Sequence, residues 1–238
     1  MGNWSGAETA AKAAQEGYSL SPSTYKNEFG DLSNSEWLWG MPQFSDQTAY
    51  YYSAPSAFTD HNVGSYKGTF VNSEFVKIFS KTDVRHQFKN IYGLKDEDDY
   101  RYYVSDKFKF EFDSNIVIMR LPEMLLIEAE AKARQGKDVE SAKILFDLQK
   151  NRDPEAKASG NSGDQLIEEI LVERRKELYA EMGVEWFDAK RLQRGIKRTG
   201  NHRVMLELTP NDKRFFLKIP QKEIDANKNI DESVNANR

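Results

Sequence analysis

Apolar positions along the 238-residue chain follow two different rhythms. Residues 7–16, AETAAKAAQE, are rich in helix formers, and Gly17 follows where a helix favours a glycine just past its end. Residues 20–110 then break into short aromatic pieces between Gly, Pro, Ser, Asn and Asp, with no lasting helical period. From Leu121 the period returns. Pro122 suits a first helical turn, and Leu121, Leu125, Ala129 and Ala133 recur at spacing four on one face. Gly136 ends this helix. Asp138 is placed to cap a second one, whose inner face is marked by Val139, Ala142, Leu145, Phe146 and Gln149.

Two helices joined by a Gly-Lys-Asp turn make an αα-hairpin, and Ala129, Ala131, Ala133 and Ala142 let their backbones approach closely. The hairpin resembles a single tetratricopeptide-like unit, with no second copy at the period of about 34 residues. Met124, Leu126, Ile127 and Ile144 lie off the main stripe, which predicts burial from two sides. The polar stretch 154–163 reads as a loop. Asp164 is expected to cap a long helix with Leu166, Ile167, Ile170, Leu171, Arg174 and Leu178 on its stripe. Gly183 interrupts it, Trp186-Phe187-Asp188 opens another short helix, and Phe215–Ile219 reads as a strand closed by Pro220. The expected fold is therefore mainly α, with a loop-rich aromatic part (1–119), a helical core (120–194), a C-terminal tail (195–238) and a few short strands.

Composition narrows the function. The net charge is −4, which argues against nucleic acid as the main partner. The longest apolar runs, Ile116–Met119 and Met124–Ile127, are far below the ~20 residues that span a bilayer. No cysteine is present, which removes disulfides, thiolate metal sites and cysteine nucleophiles. The first residues, Met1 to Gly6, form neither a signal peptide nor a myristoylation site, so the chain is expected to be cytoplasmic or cut from a longer precursor. Phosphate-loop, dinucleotide, zincin and hydrolase-elbow motifs are absent, and His61, His86 and His202 lack metal-ligand spacing. Asp96-Glu97-Asp98-Asp99 reads as a solvated loop tip rather than a cation site. No catalytic residue, metal or cofactor is expected.

Residues 37–66 change that picture. They contain no Lys, Arg or Glu, yet carry Trp37, Trp39, Phe44, Tyr50, Tyr51, Tyr52, Phe58 and Tyr66 among uncharged donors and acceptors. Flat rings with polar neighbours suit a neutral sugar, whose C–H faces stack while its hydroxyls exchange hydrogen bonds. Trp37, Trp39, Tyr50, Tyr51, Tyr52 and Asn62 are the candidate ligand-binding residues. The alternative is that these rings fill an irregular core. A second signal is Glu173-Arg174-Arg175-Lys176-Glu177-Leu178, where Arg174 falls on the apolar stripe and needs a carboxylate such as Asp188 or Glu128. Arg120, Glu128, Arg174 and Asp188 are expected to form structural ion pairs.

The string Met119-Arg120-Leu121-Pro122-Glu123-Met124-Leu125-Leu126-Ile127-Glu128-Ala129-Glu130-Ala131 resembles a block of the SusD/RagB family, surface nutrient-binding lipoproteins of the Gram-negative outer membrane. Further blocks of that family are resembled, in order, by Leu148–Arg152, Glu173–Leu178, Trp186–Arg191 and Ile219–Ile224 with Asn227. Tyr25–Phe29, Glu36-Trp37 and Asp83-Val84-Arg85 match weaker landmarks. Departures are local. Met182 is an added residue before Gly183, Glu185 replaces a usual Arg, Ala189 a usual Leu, and Lys228 a common Pro.

The resemblance covers the C-terminal region of such proteins; the half that carries the lipid anchor and most tetratricopeptide-like helices has no counterpart here. It implies a non-catalytic protein that holds an oligosaccharide or similar nutrient at the cell surface. The ligand would pass to a SusC-like TonB-dependent transporter, with membrane attachment only through a lipid anchor absent from this chain. The other readings are a helical protein-interaction module and a glycoside hydrolase. If a covering layer is missing, the apolar outer face of the hairpin predicts self-association.

Overall fold

The computed structural model describes residues 2–46, 70–108 and 114–236. Its elements run α1 (Trp4–Ala14), β1 (Trp37–Met41), α2 (Ser73–Val76), β2 (Phe88–Lys89), β3 (Val104–Ser105), β4 (Ile116–Arg120) and α3 (Leu121–Ala133). They continue through α4 (Asp138–Arg152), α5 (Gly163–Glu177), α6 (Val184–Arg191), β5 (Ile196–Lys197), β6 (Glu207–Leu208) and α7 (Gln221–Ala226). Helix dominates. Among the described residues the strands form three antiparallel pairs, β1 with β4, β2 with β3 and β5 with β6.

Helix α3 is the axis of the molecule, with α1, α4 and α5 packed around it. That position explains its sequence, which is not cleanly two-faced. Leu126, Ala129 and Ala133 meet Leu145 and Leu148 of α4 and Leu166, Ile167, Ile170 and Leu171 of α5 in one core cluster. Each of the large aliphatic side chains there contributes about 1.5–3 kcal/mol by leaving water. Ala129 has no exposed surface, and its carbonyl accepts a hydrogen bond from Ser141 Oγ at 2.7 Å, so the two hairpin helices touch at backbone distance. Gly136, at φ +74°, supplies the left-handed turn between them. Met124 and Leu126, expected on an open outer face, are buried within this chain.

Three local expectations are corrected. Asp138 does not cap α4; its Oδ2 accepts from Gly163 N at 3.0 Å and so holds the start of α5 instead. Asp164 sits inside the first turn of α5, with Ser162 in the cap position. Phe215–Ile219 is not a strand. The Asp212 carboxylate accepts from Arg214 N at 2.9 Å and winds Lys213–Phe215 into a 3₁₀ turn. Phe215 then packs on Trp186 at 4.8 Å between ring centroids, while Ile219 N–H and C=O are both taken by the Asn235 amide. Side-chain partners satisfy the backbone here, so no strand ladder forms.

Beneath the helices lies a buried ion network centred on Glu177. Its carboxylate accepts from Arg85 Nη1 at 2.9 Å, Arg120 Nη1 at 3.0 Å, and Arg152 Nη2 at 3.0 Å, with Tyr25 Oη at 3.2 Å. Glu36, Asp83, Glu173 and Glu181 answer the remaining guanidinium groups and the Lys107 and Lys176 ammonium groups. Five cations thus meet five carboxylates, which is how so much charge is tolerated without water. Burial alone would raise the Glu177 carboxyl, but Arg152, Arg120 and Arg85 outweigh it and hold it well below the usual carboxylate range. Burial pushes the Lys107 ammonium down to about 8, against the pull of Glu181.

Candidate functional site

The two candidate tryptophans part company. In a regular strand Trp37 and Trp39 would share a face, but the β1–β4 register shifts between them, opposing Trp37 to Arg120 and Trp39 to Met119. Trp37 is only 5% exposed and packs with Phe108, Val117 and Phe29, whereas Trp39 is 59% exposed. Trp37 is therefore core rather than a stacking platform. Tyr50, Tyr51, Tyr52 and Asn62 lie outside the described residues.

Of the four ion-pair candidates, Arg120 belongs to the network, reaching Glu181 at 2.7 Å and Glu36 at 3.2 Å. Arg174 takes Asp188 at 2.8 Å and Glu123 at 2.9 Å, while Glu128 is turned the other way and accepts from Gln15 Nε2 at 2.7 Å.

A cleft of 640 Å³ opens elsewhere, between the loop after β2 and the loop after β5. Such a volume suits a small ligand. Three rings form one wall. Phe70 meets Tyr100 edge-on at 5.6 Å between centroids, and Tyr92 at 6.2 Å, and Tyr92 is exposed. Asn90 positions Tyr92, since its side chain accepts from Leu94 N at 3.0 Å and donates to Leu94 O at 2.7 Å across the turn. The facing wall is polar and basic, carrying Arg198, Asn201, His202 and Arg203, with Arg101 at the rim beside Tyr100. Burial, and then the neighbouring Arg198 and Arg175, push the His202 imidazole below its usual value, so it stands in the cleft as a neutral donor and acceptor at pH 7.

Two asparagines hold this wall in place. Asn201 Oδ1 accepts from Ser73 N at 2.9 Å, and its Nδ2 donates to the carbonyls of Asp99 at 3.0 Å and Glu97 at 3.2 Å. Asn72 caps α2 through Glu74 N at 2.8 Å and donates to Thr199 O at 2.6 Å. Gly200 between them adopts φ +69°, and a Cβ there would sit 2.7 Å from Glu74 Cγ. Asn201→Ala should therefore cost about 1–3 kcal/mol of stability, because it orphans a buried N–H and two carbonyls. Urea unfolding of the variant checks this, and a cost below 0.5 kcal/mol would mean the loop is held otherwise.

Sequence reasoning missed this cleft. Its two walls stand about a hundred positions apart, Asn201 bonding Glu97 across 104 residues, and neither stretch has an unusual composition. The acidic run Asp96–Asp99 beside it is a self-bonded turn, Asp96 accepting from Asp98 N at 2.9 Å and Asp99 pairing with Arg101 at 2.8 Å. No group of three or more potential metal ligands occurs among the described residues, and no described helix is long and apolar enough to cross a membrane.

Residues 110–235 match the SusD family. A SusD-like protein, P38, from Formosa agariphila is 33% identical over 96 residues, covering 37% of this chain and 19% of that protein. A SusD superfamily protein of Bacteroides thetaiotaomicron superposes with a TM-score of 0.81 at 26% identity, covering 96% of this chain and 56% of that one. A SusD-like carbohydrate binding protein of Bacteroides vulgatus superposes with a TM-score of 0.75 at 27% identity, covering 95% of this chain and 55% of that one. The chain thus spans about half the length of the solved structures it matches.

Proposed function

We propose that this chain, which belongs to the SusD family, binds oligosaccharide without cleaving it, in the cleft walled by Phe70, Tyr92 and Tyr100. The single observation that carries this reading is the meeting of aromatic rings with imidazole and guanidinium donors in one cavity of sugar dimensions. Relatives named as carbohydrate binding proteins support it. Among the described residues no aspartate or glutamate side chain lines the cleft, whereas paired-carboxylate hydrolysis needs two acids about 5–9.5 Å apart.

The exposed Trp39, with Met41 beside it on β1, offers a second platform; Tyr50, Tyr51, Tyr52 and Asn62 are further proposed ligand contacts on the ground of composition alone. At the level of the whole protein the ligand would be held at the outer-membrane surface, by a lipid anchor, and handed to a SusC-like TonB-dependent transporter.

The test is glycan-array screening followed by calorimetry on the full chain. Tyr92→Ala and Tyr100→Ala should each weaken binding five- to tenfold, on the order of 1 kcal/mol per stacked ring, and Trp39→Ala should do so only if the second platform is used. Incubation with the bound oligosaccharide should release no new reducing ends. Unchanged affinity in both tyrosine variants would move the site away from this cleft, and new reducing ends would make the protein an enzyme.

A further inference from the structure

Among the described residues, every arginine but two has a carboxylate within ion-pairing distance. In a chain of net charge −4, with 38 acidic residues, that is the expected fate of a guanidinium. The exceptions are Arg198 and Arg203, and both line the same cleft. Arg198 makes one hydrogen bond, from Nη1 to Val204 O at 3.3 Å. Arg203 lies over the Tyr100 ring, its Cζ 5.8 Å from the centroid. Arg101 also lies beside that ring, but Asp99 occupies its Nε at 3.0 Å and its Nη2 at 2.8 Å. Two guanidinium groups without a carboxylate partner therefore line a cavity that has no acidic side chain among its described lining residues.

We propose that the cleft selects oligosaccharides carrying an anionic substituent, a carboxylate or a sulfate ester, which Arg198 and Arg203 bind through their guanidinium forks. This rests on the reading of the cleft as a sugar site and specifies its substrate class. A guanidinium presents paired N–H donors at the spacing of two oxygens of a carboxylate or sulfate, and charge-assisted bonds of that kind are about twice as strong as neutral ones. The sugar ring packs on the exposed Tyr92, while Tyr100, under Arg203, holds that guanidinium where the anionic group can reach it. Selectivity has a repulsive side as well, because a neutral sugar that covers these groups removes their water without replacing it. Asn201 and Asn72 fix the loop that carries both arginines, so the charges are positioned before the ligand arrives.

The experiment titrates the full chain with matched-length neutral glucose oligosaccharides, uronic acid oligosaccharides and sulfated galactose oligosaccharides, at low and at physiological salt. One anionic series should bind at least tenfold tighter than the neutral one, with affinity falling as salt rises. Which series binds identifies the substituent. Arg198→Ala and Arg203→Ala should each lose about tenfold on the anionic ligand and leave thermal stability unchanged, since neither side chain is in an ion pair; the lysine variants should recover part of the loss. Neutral and anionic ligands of equal affinity, indifferent to both arginines but sensitive to Tyr100→Ala, would overturn the anionic selectivity and leave the sugar site standing. Failure of every series to bind, or binding indifferent to Tyr92 and Tyr100, would overturn the sugar site itself.

Discussion

Glu177→Ala is expected to cost about 3–5 kcal/mol of folding stability, the range for removing one partner from a buried ion pair. The reason is the company it leaves behind. Arg85, Arg120 and Arg152 all point at this carboxylate, and none of their charged groups is more than 2% exposed. Water cannot replace the lost anion, so three guanidinium groups face each other with only Glu36, Asp83, Glu173 and Glu181 to balance them. Glu177→Gln keeps the shape and some acceptor capacity, and should cost less. Denaturant unfolding measures both. If the alanine variant yields no folded protein, Glu181→Gln, which leaves Glu177 in place, provides the graded comparison. A loss under 1 kcal/mol for the alanine variant would mean that Glu177 does not hold the three arginines in the fold.

Acid should unfold the protein through the same residues. Glu177, Glu181 and Asp83 are each held below their ordinary values; burial opposes this in every case, and the arginine and lysine partners overcome it. A carboxyl that is depressed in the folded state binds fewer protons there than in the unfolded chain. Its stabilising contribution is therefore complete above the unfolded value, near 4.5 for a glutamate, and drains away as pH falls toward the folded value. Stability should fall only slightly from neutral pH down to about 5, where the depressed His202 takes up its proton, and then drop steeply. Glu177→Gln should flatten that drop, because it removes the most tightly held carboxylate. Thermal melts from pH 7 to pH 3 give the curve, and parallel slopes for the two proteins would show that the network does not set acid sensitivity.

The long helices were readable because their apolar positions repeat at the helical period whatever surrounds them, as at Leu121, Ala129 and Ala133 or at Leu166 and Ile170. The blocks that carry the family resemblance have a physical meaning the sequence alone does not disclose. Tyr25, Glu36, Asp83-Val84-Arg85, Arg120, Arg152 and Glu173 with Glu177 are scattered along the chain, yet all of them converge on one buried network. What resembles the family is largely what holds this electrostatic core together. The cleft was illegible for the opposite reason. Tyr92 and Arg203 have no local signature, and only the folding of distant loops brings them together. Trp37 misleads because a bulge, which leaves no mark in the pattern of residues, turns it inward.

The Glu177 network also governs how the chain reaches its fold. Tyr25 meets Glu177 across 152 positions, Arg152 meets Glu36 across 116, and Arg120 meets Glu36 across 84. None of these pairings is local. During synthesis the arginines at 85, 120 and 152 emerge before Glu177, and they must stay hydrated until it arrives. Collapse of the amino-terminal part ahead of that moment would bury guanidinium groups without their central partner, which is too costly to persist. Docking of α5 is then the committing step, and such closure over long stretches of chain is slow. The protein should acquire its protease resistance late and all at once, after the residues of α5 have been released, rather than in stages from its amino terminus.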